Sequence, residues 1–137
     1  MPLSKEAGMD KKMKISTTTI FLGMILLITV GGCKKQDNIN QQLARPKMAV
    51  IEVAIENYLL DCGRYPGSLE ELLNPPSGLE EKWDGPYLLK KQLLDPWGNK
   101  YIYVPEGKVN PGSFDLISHG ADGKPGGEGY DKDIYND

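Results

Sequence analysis

The sequence predicts an α+β domain: one helix packed on a small antiparallel sheet of about three strands. Two patterns predict it. Apolar residues recur at helical spacing between Pro46 and Gly63, and short alternating runs separated by turn clusters follow up to residue 118. A helix that comes first, with strands joined by turns after it, buries its apolar face by lying across the sheet.

In chain order, the head comes first. Lys11, Lys12 and Lys14 precede an apolar stretch from Ile20 to Val30, which Gly31, Gly32 and Cys33 close. A basic region, a short apolar core and a small-residue end are the layout of an export signal. Eleven residues rise about 16 Å as a helix, short of the roughly 30 Å apolar bilayer core. The alternative is a single transmembrane anchor extended upstream through Ile15 and the threonines. Val30-Gly31-Gly32-Cys33 resembles a bacterial lipobox, in which the cysteine is acylated and becomes the new first residue. That resemblance implies a signal peptide over 1–32, starting at Met1 or Met13, and lipidation of Cys33. Acyl chains hold a protein on a membrane without a spanning helix. Cleavage would remove four lysines and two acidic residues from totals of 16 and 19, leaving 12 against 17 and a net charge of −5.

Residues 33–44 are polar and read as a tether between lipid and domain. The domain proper is expected over 45–137. Met48, Ile51, Ile55, Tyr58, Leu59 and Cys62 fall three or four apart and form one helical face. Pro46 suits a first turn, and Gly63 with Pro66 ends the helix. Val50, Val53 and Ala54 widen the stripe, so the helix should be well buried. Cys62 reads as a small apolar residue at the helix end, although an unpaired cysteine in an exported chain is also a candidate reactive thiol.

Ser68 with Glu71 is a capping-box pattern, and Leu69, Leu72 and Leu73 give the short helix a buried side. Three strand candidates follow: "PYLLKKQLL", "KYIYVPE" and "SFDLIS", separated by "DPWGN" and "GKVNPG". The chain then closes with "SHGADGKPGGEGYDKDIYND", rich in carboxylates and glycines. Residues of this kind form either a disordered acidic end or a flexible oxygen-lined cage for a cation. Asp122, Asp131 and Asp133 are the candidate carboxylates, on a loop that lacks the spacing of an EF-hand.

"LLDCGRYPGSLEELL", "LLDPWGNKYIY" and "FDLISHGADGKPGGEGYDKDI", in this order, resemble the C-terminal domain of the type II secretion system protein G family, the major pseudopilins. The resemblance spans residues 48–137. It implies a pilin-like fold, a structural role among other pseudopilins and envelope proteins of a periplasmic filament, and one calcium ion in the C-terminal loop. Carried onto this chain, the ligands are Asp122, Asp133 and the backbone carbonyl of His119, with Asp131 substituting where Lys132 replaces an aspartate. The chain departs from the family at its front. There the family has a processing glycine followed by a long apolar helix with an early glutamate, whereas this apolar stretch ends in the lipobox-like motif.

The composition excludes other classes. The chain carries a net −3 charge, with no basic stripe interleaved with aromatics, so nucleic-acid binding has no footprint. No nucleophile–base pair is evident, because Ser118 and His119 are adjacent along the chain, which is not triad geometry. No catalytic residue or small-molecule substrate is expected. The envelope-facing alternatives are a secretion-system component and a free-standing, calcium-stabilised periplasmic lipoprotein that uses the domain as a binding module.

Overall fold

The computed structural model describes the backbone of residues 17–137 and the side chains of residues 34–137. The basic residues of the signal segment and the side chain of Cys33 lie outside the described residues. The chain divides after Cys33 into two units, and the second, Lys34–Asp137, holds the folded domain.

Helix α1 runs from Thr17 to Cys62. It therefore includes residues 34–44, where the sequence suggested a tether, and Pro46 lies inside it rather than in its first turn. Proline removes one rung of the helix, but the neighbouring turns are held from several sides. Gln36 and Gln42 bond to Asn40 and Asn38 one turn away, at 3.0 and 2.9 Å. Ala44 is fully buried, and Asn40 nearly so. Arg45 reaches the last residue, Asp137, at 2.7 Å to its main-chain oxygen and 3.1 Å to its carboxylate. The helix stops at Gly63, whose φ of 76° only glycine adopts without cost and whose N–H returns to the Leu59 carbonyl at 2.9 Å.

Three strands form one antiparallel sheet in the order β1-β2-β3: β1 Ile102–Val104, β2 Asp115–Ser118 and β3 Ile134–Tyr135. The expected architecture is present, but one strand differs. "PYLLKKQLL" is not a strand. Lys90–Leu93 turns as a 3-10 helix, started by the Gln92 side chain accepting the Leu89 N–H at 2.7 Å, and only Leu94 pairs with Lys100 as an isolated bridge. The third strand comes from the tail instead, with Ile117 opposite Tyr135 and Ser118 opposite Ile134.

The core joins Met48, Ile51, Ala54, Ile55, Tyr58 and Cys62 of α1 to Leu69, Leu72, Leu88, Tyr101, Phe114 and Leu116. Cys62 is free and buried, as a small apolar residue at a helix end would be. Val50 and Val53 do not widen the buried stripe: Val53 is 60 % exposed, and Ile39, Leu43 and Leu60 share its open side of the helix. The sheet and the loops cover only the other face.

The capping box at Ser68 also does not form. Glu71 is drawn away: its carboxylate accepts from the Tyr58 hydroxyl and from Arg64 at 3.0 Å. Trp83 adds an indole N–H bond to the Glu71 carbonyl at 2.8 Å. This cluster pins the short Leu69–Leu72 turn to the end of α1.

Tyr101 carries a buried hydroxyl with no hydrogen-bond partner among the described residues. Burial and the nearby Asp95 charge hold its ionisation far above the ordinary tyrosine range. The hydroxyl has lost water and gained nothing in return. Tyr101→Phe is therefore expected to leave the melting temperature unchanged or raise it, by about 5 °C at most, in a circular-dichroism melt.

Asp115 is buried although it lies at a position expected to face outward. Burial raises its pKa, but the N–H groups of Val109, Asn110 and Lys108 and the Asn110 side chain more than offset this, so the carboxyl titrates below its ordinary value of 3.8. The bonds measure 2.7 to 3.0 Å from the three backbone donors. A depressed folded pKa contributes stability that is present above the ordinary value and lost as pH falls through the folded one. Denaturant midpoints should therefore fall as pH drops below about 4, and Asp115→Asn should remove part of that acid limb while lowering the midpoint at neutral pH.

Candidate functional site

The tail loop, residues 119–133, runs from the end of β2 to the start of β3, so both ends are fixed in the sheet. Its glycines let the backbone fold onto itself. A side chain at Gly120 would meet the Tyr130 carbonyl at 2.6 Å, and one at Gly127 would meet the Asp131 carbonyl at 2.5 Å. Both residues also adopt φ values of 66° and 81°. Ala121 N–H bonds to Tyr130 O at 2.9 Å and Asp133 N–H to Gly126 O at 3.2 Å, which closes the loop across itself.

The candidate residues are unequally placed. Asp133 is at the centre: one carboxylate oxygen lies 2.9 Å from His119 Nδ1, and the other accepts the Gly126 N–H at 2.9 Å. Asp122 is exposed and accepts the Lys124 N–H at 3.0 Å, a local turn bond. The Asp131 side chain is exposed, while its carbonyl packs under Gly120 and Gly127. The sequence suggested His119 only through its carbonyl; the structure also places its imidazole, largely buried, against Asp133. Among the described residues no three carboxylate, imidazole or thiol groups stand close enough to hold a metal ion. A cation in this loop would thus depend on backbone carbonyls for much of its coordination. The glycines bring the Tyr130 and Asp131 carbonyls close against Gly120 and Gly127, and backbone oxygens are the donors such coordination needs; the side chains alone do not supply it.

Residues outside the loop hold it, and these were not legible as site residues. Asp95 is 2 % exposed and accepts from Trp97 N–H, Asn99 N–H and the Ser118 hydroxyl at 3.0, 2.8 and 2.7 Å. Asn99 in turn donates to the Gly120 carbonyl at 2.9 Å, and its side chain lies where a Cβ on Gly123 would be. The "DPWGN" turn thus buttresses the first turn of the tail loop. An aspartate opening a turn is a readable signal; its reach to Ser118 is not. Ser118 is fully buried, with its hydroxyl given to Asp95, and His119 faces Asp133, so the adjacent pair shares no nucleophile–base contact.

A sequence model of the family described as type II secretion system (T2SS), protein G matches residues 33–137. The chain belongs to this family. Type II secretion system core protein G of Xanthomonas campestris pv. campestris is 36 % identical over 133 residues, covering 94 % of this chain and 88 % of that protein. The protein of the same name from Pseudomonas aeruginosa is 36 % identical over 129 residues, covering 90 % and 89 %. The crystal structure of the major pseudopilin from the type 2 secretion system of enterohaemorrhagic Escherichia coli superposes with a TM-score of 0.57 at 29 % identity, over 76 % of this chain and 91 % of that one. The pilin-like reading of the helix and three-stranded sheet therefore holds, and this protein G family member is a structural secretion-system component of the cell envelope, not an enzyme. The likeness is also wider than residues 48–137. Coverage of 94 % exceeds what residues 33–137 can supply, so the alignment runs into the head of the chain. Among the described residues no helix is long and apolar enough to cross a membrane.

Proposed function

We propose that this protein G family member is anchored to the membrane by acyl chains on Cys33, with residues 45–137 facing the periplasm and contacting other pseudopilins. The observation that carries the anchor is Val30-Gly31-Gly32-Cys33 at the end of an eleven-residue apolar run, Ile20 to Val30, with lysines before it. A lipid-anchored form would lack the apolar first part of the helix and would not build regular fibres by itself. We propose also that the tail loop binds calcium through Asp122, Asp133, the backbone carbonyl of His119 and Asp131, which substitutes for the family aspartate that Lys132 replaces.

A second reading keeps the head uncut as an N-terminal anchor. Helix α1 continues through Cys33, and the likeness to relatives extends before it. Mass spectrometry of the protein purified from membranes separates the two. The lipoprotein reading expects an acylated Cys33 as first residue, and Cys33→Ala should accumulate as the unprocessed precursor. A variant still cut at the same bond and still membrane-bound would overturn it.

A further inference from the structure

We propose that a groove between the Leu69–Leu72 turn and the Lys90–Lys100 segment is a docking site for an acidic, amphipathic segment of a partner protein. The groove encloses about 520 Å³ and is predominantly apolar, with Leu69, Leu73, Leu93, Leu94 and the Tyr101 ring among its lining residues. Lys90, Lys91 and Lys100 also line it, and Glu70 is the one carboxylate that does. All three lysines are exposed, and none forms an ion pair among the described residues.

The charge around the groove is opposite to that of the whole chain, which carries −3. Three ammonium groups line the groove without an ion-pair partner among the described residues. They are suited to meet carboxylates, and the apolar lining is suited to take the side chains between them. A concave shape argues for an inserted peptide segment. A bilayer surface is instead met by apolar side chains that project. The site is separate from the tail loop and shares no residue with it.

The probe is a fluorescent fifteen-residue peptide with leucine at every third or fourth position and glutamate elsewhere, with a lysine-for-glutamate copy as control. The full chain is carried in neutral nanodiscs, and anisotropy is read at 50 and 500 mM salt. The glutamate peptide should bind at least about tenfold more tightly than the lysine copy, and more weakly at high salt, where exposed charges are screened. The pair Lys90→Glu with Lys91→Glu, both on the surface, should weaken binding about tenfold or more while leaving the melting temperature unchanged. Equal binding of the two peptides, or full binding by the double variant, overturns the proposal. So does lysine-dependent binding to phosphatidylglycerol vesicles without peptide binding, which would make the groove a membrane contact. Self-association that the double variant abolishes, again without peptide binding, would assign the groove to a second copy.

Discussion

Leu116→Ala is expected to lower the stability of the domain by about 3 kcal/mol, within the roughly 2–5 kcal/mol range for buried leucine truncations. Leu116 is fully buried on β2, the central strand, in the cluster that joins the sheet to Ile51, Ile55 and Tyr58 of α1. Removing its branched end takes apolar atoms from the centre of that cluster and leaves a space that strands paired on both sides cannot close. For a domain of about this size each kcal/mol moves the melting temperature by roughly 4–8 °C, so a drop of about 12–24 °C should appear in a thermal melt. Val53→Ala is the control. Its side chain lies on the open side of the same helix, and surface changes of this kind stay within about 0.5 kcal/mol. Equal losses at the two positions would mean that the exposed stripe is covered in solution.

The contrast between Leu116 and Val53 also marks where sequence reasoning succeeds. Periodicity found α1 and its buried face, because every third or fourth residue from Met48 to Cys62 is apolar. It could not tell that Val50 and Val53 lie on the side of the helix that stays exposed, since hydrophobicity records preference and not coverage. Phe114 and Leu116 were legible by the alternation in "SFDLIS". Asp115 was not, since a charged residue in an alternating run reads as outward. It is buried because the turn after Gly107 aims three N–H groups at its carboxylate. β3 has only two residues, too few for a period, and its pairing partner lies on β2, across the whole tail loop. In the loop, the sequence identified carboxylates and glycines but not their geometry. The union of Asp133 with His119, and the support from Asn99 and Asp95, arise from contacts between segments distant along the chain.

Calcium is expected to raise the melting temperature of the protein by about 5–10 °C. Extracellular calcium modules bind with dissociation constants of about 0.1–1 mM. At about 1 mM calcium and a constant near 0.1 mM, linkage gives about 1.4 kcal/mol of stability, and that converts to the stated shift for a domain near one hundred residues. The structure sets the terms of the exchange. Asp133 already holds His119 on one oxygen and the Gly126 N–H on the other, so an ion at this carboxylate would share it with the imidazole. Asp122 is nearer to readiness, being exposed with one oxygen used by the Lys124 N–H. The His119 ring signals should therefore move on calcium addition, even though the imidazole is not proposed as a ligand. Magnesium should do less, because it requires tighter octahedral geometry than a glycine-folded loop imposes. Asp122→Ala with Asp133→Ala should abolish the calcium-dependent shift while leaving the helical signal intact. Its metal-free melting temperature should also fall, since Asp133 closes the loop through His119 and Gly126. The decisive quantity is the difference between calcium and chelator for each protein. A difference of zero for the unmutated chain would leave the loop closed by the Asp133–His119 pair and its backbone bonds alone.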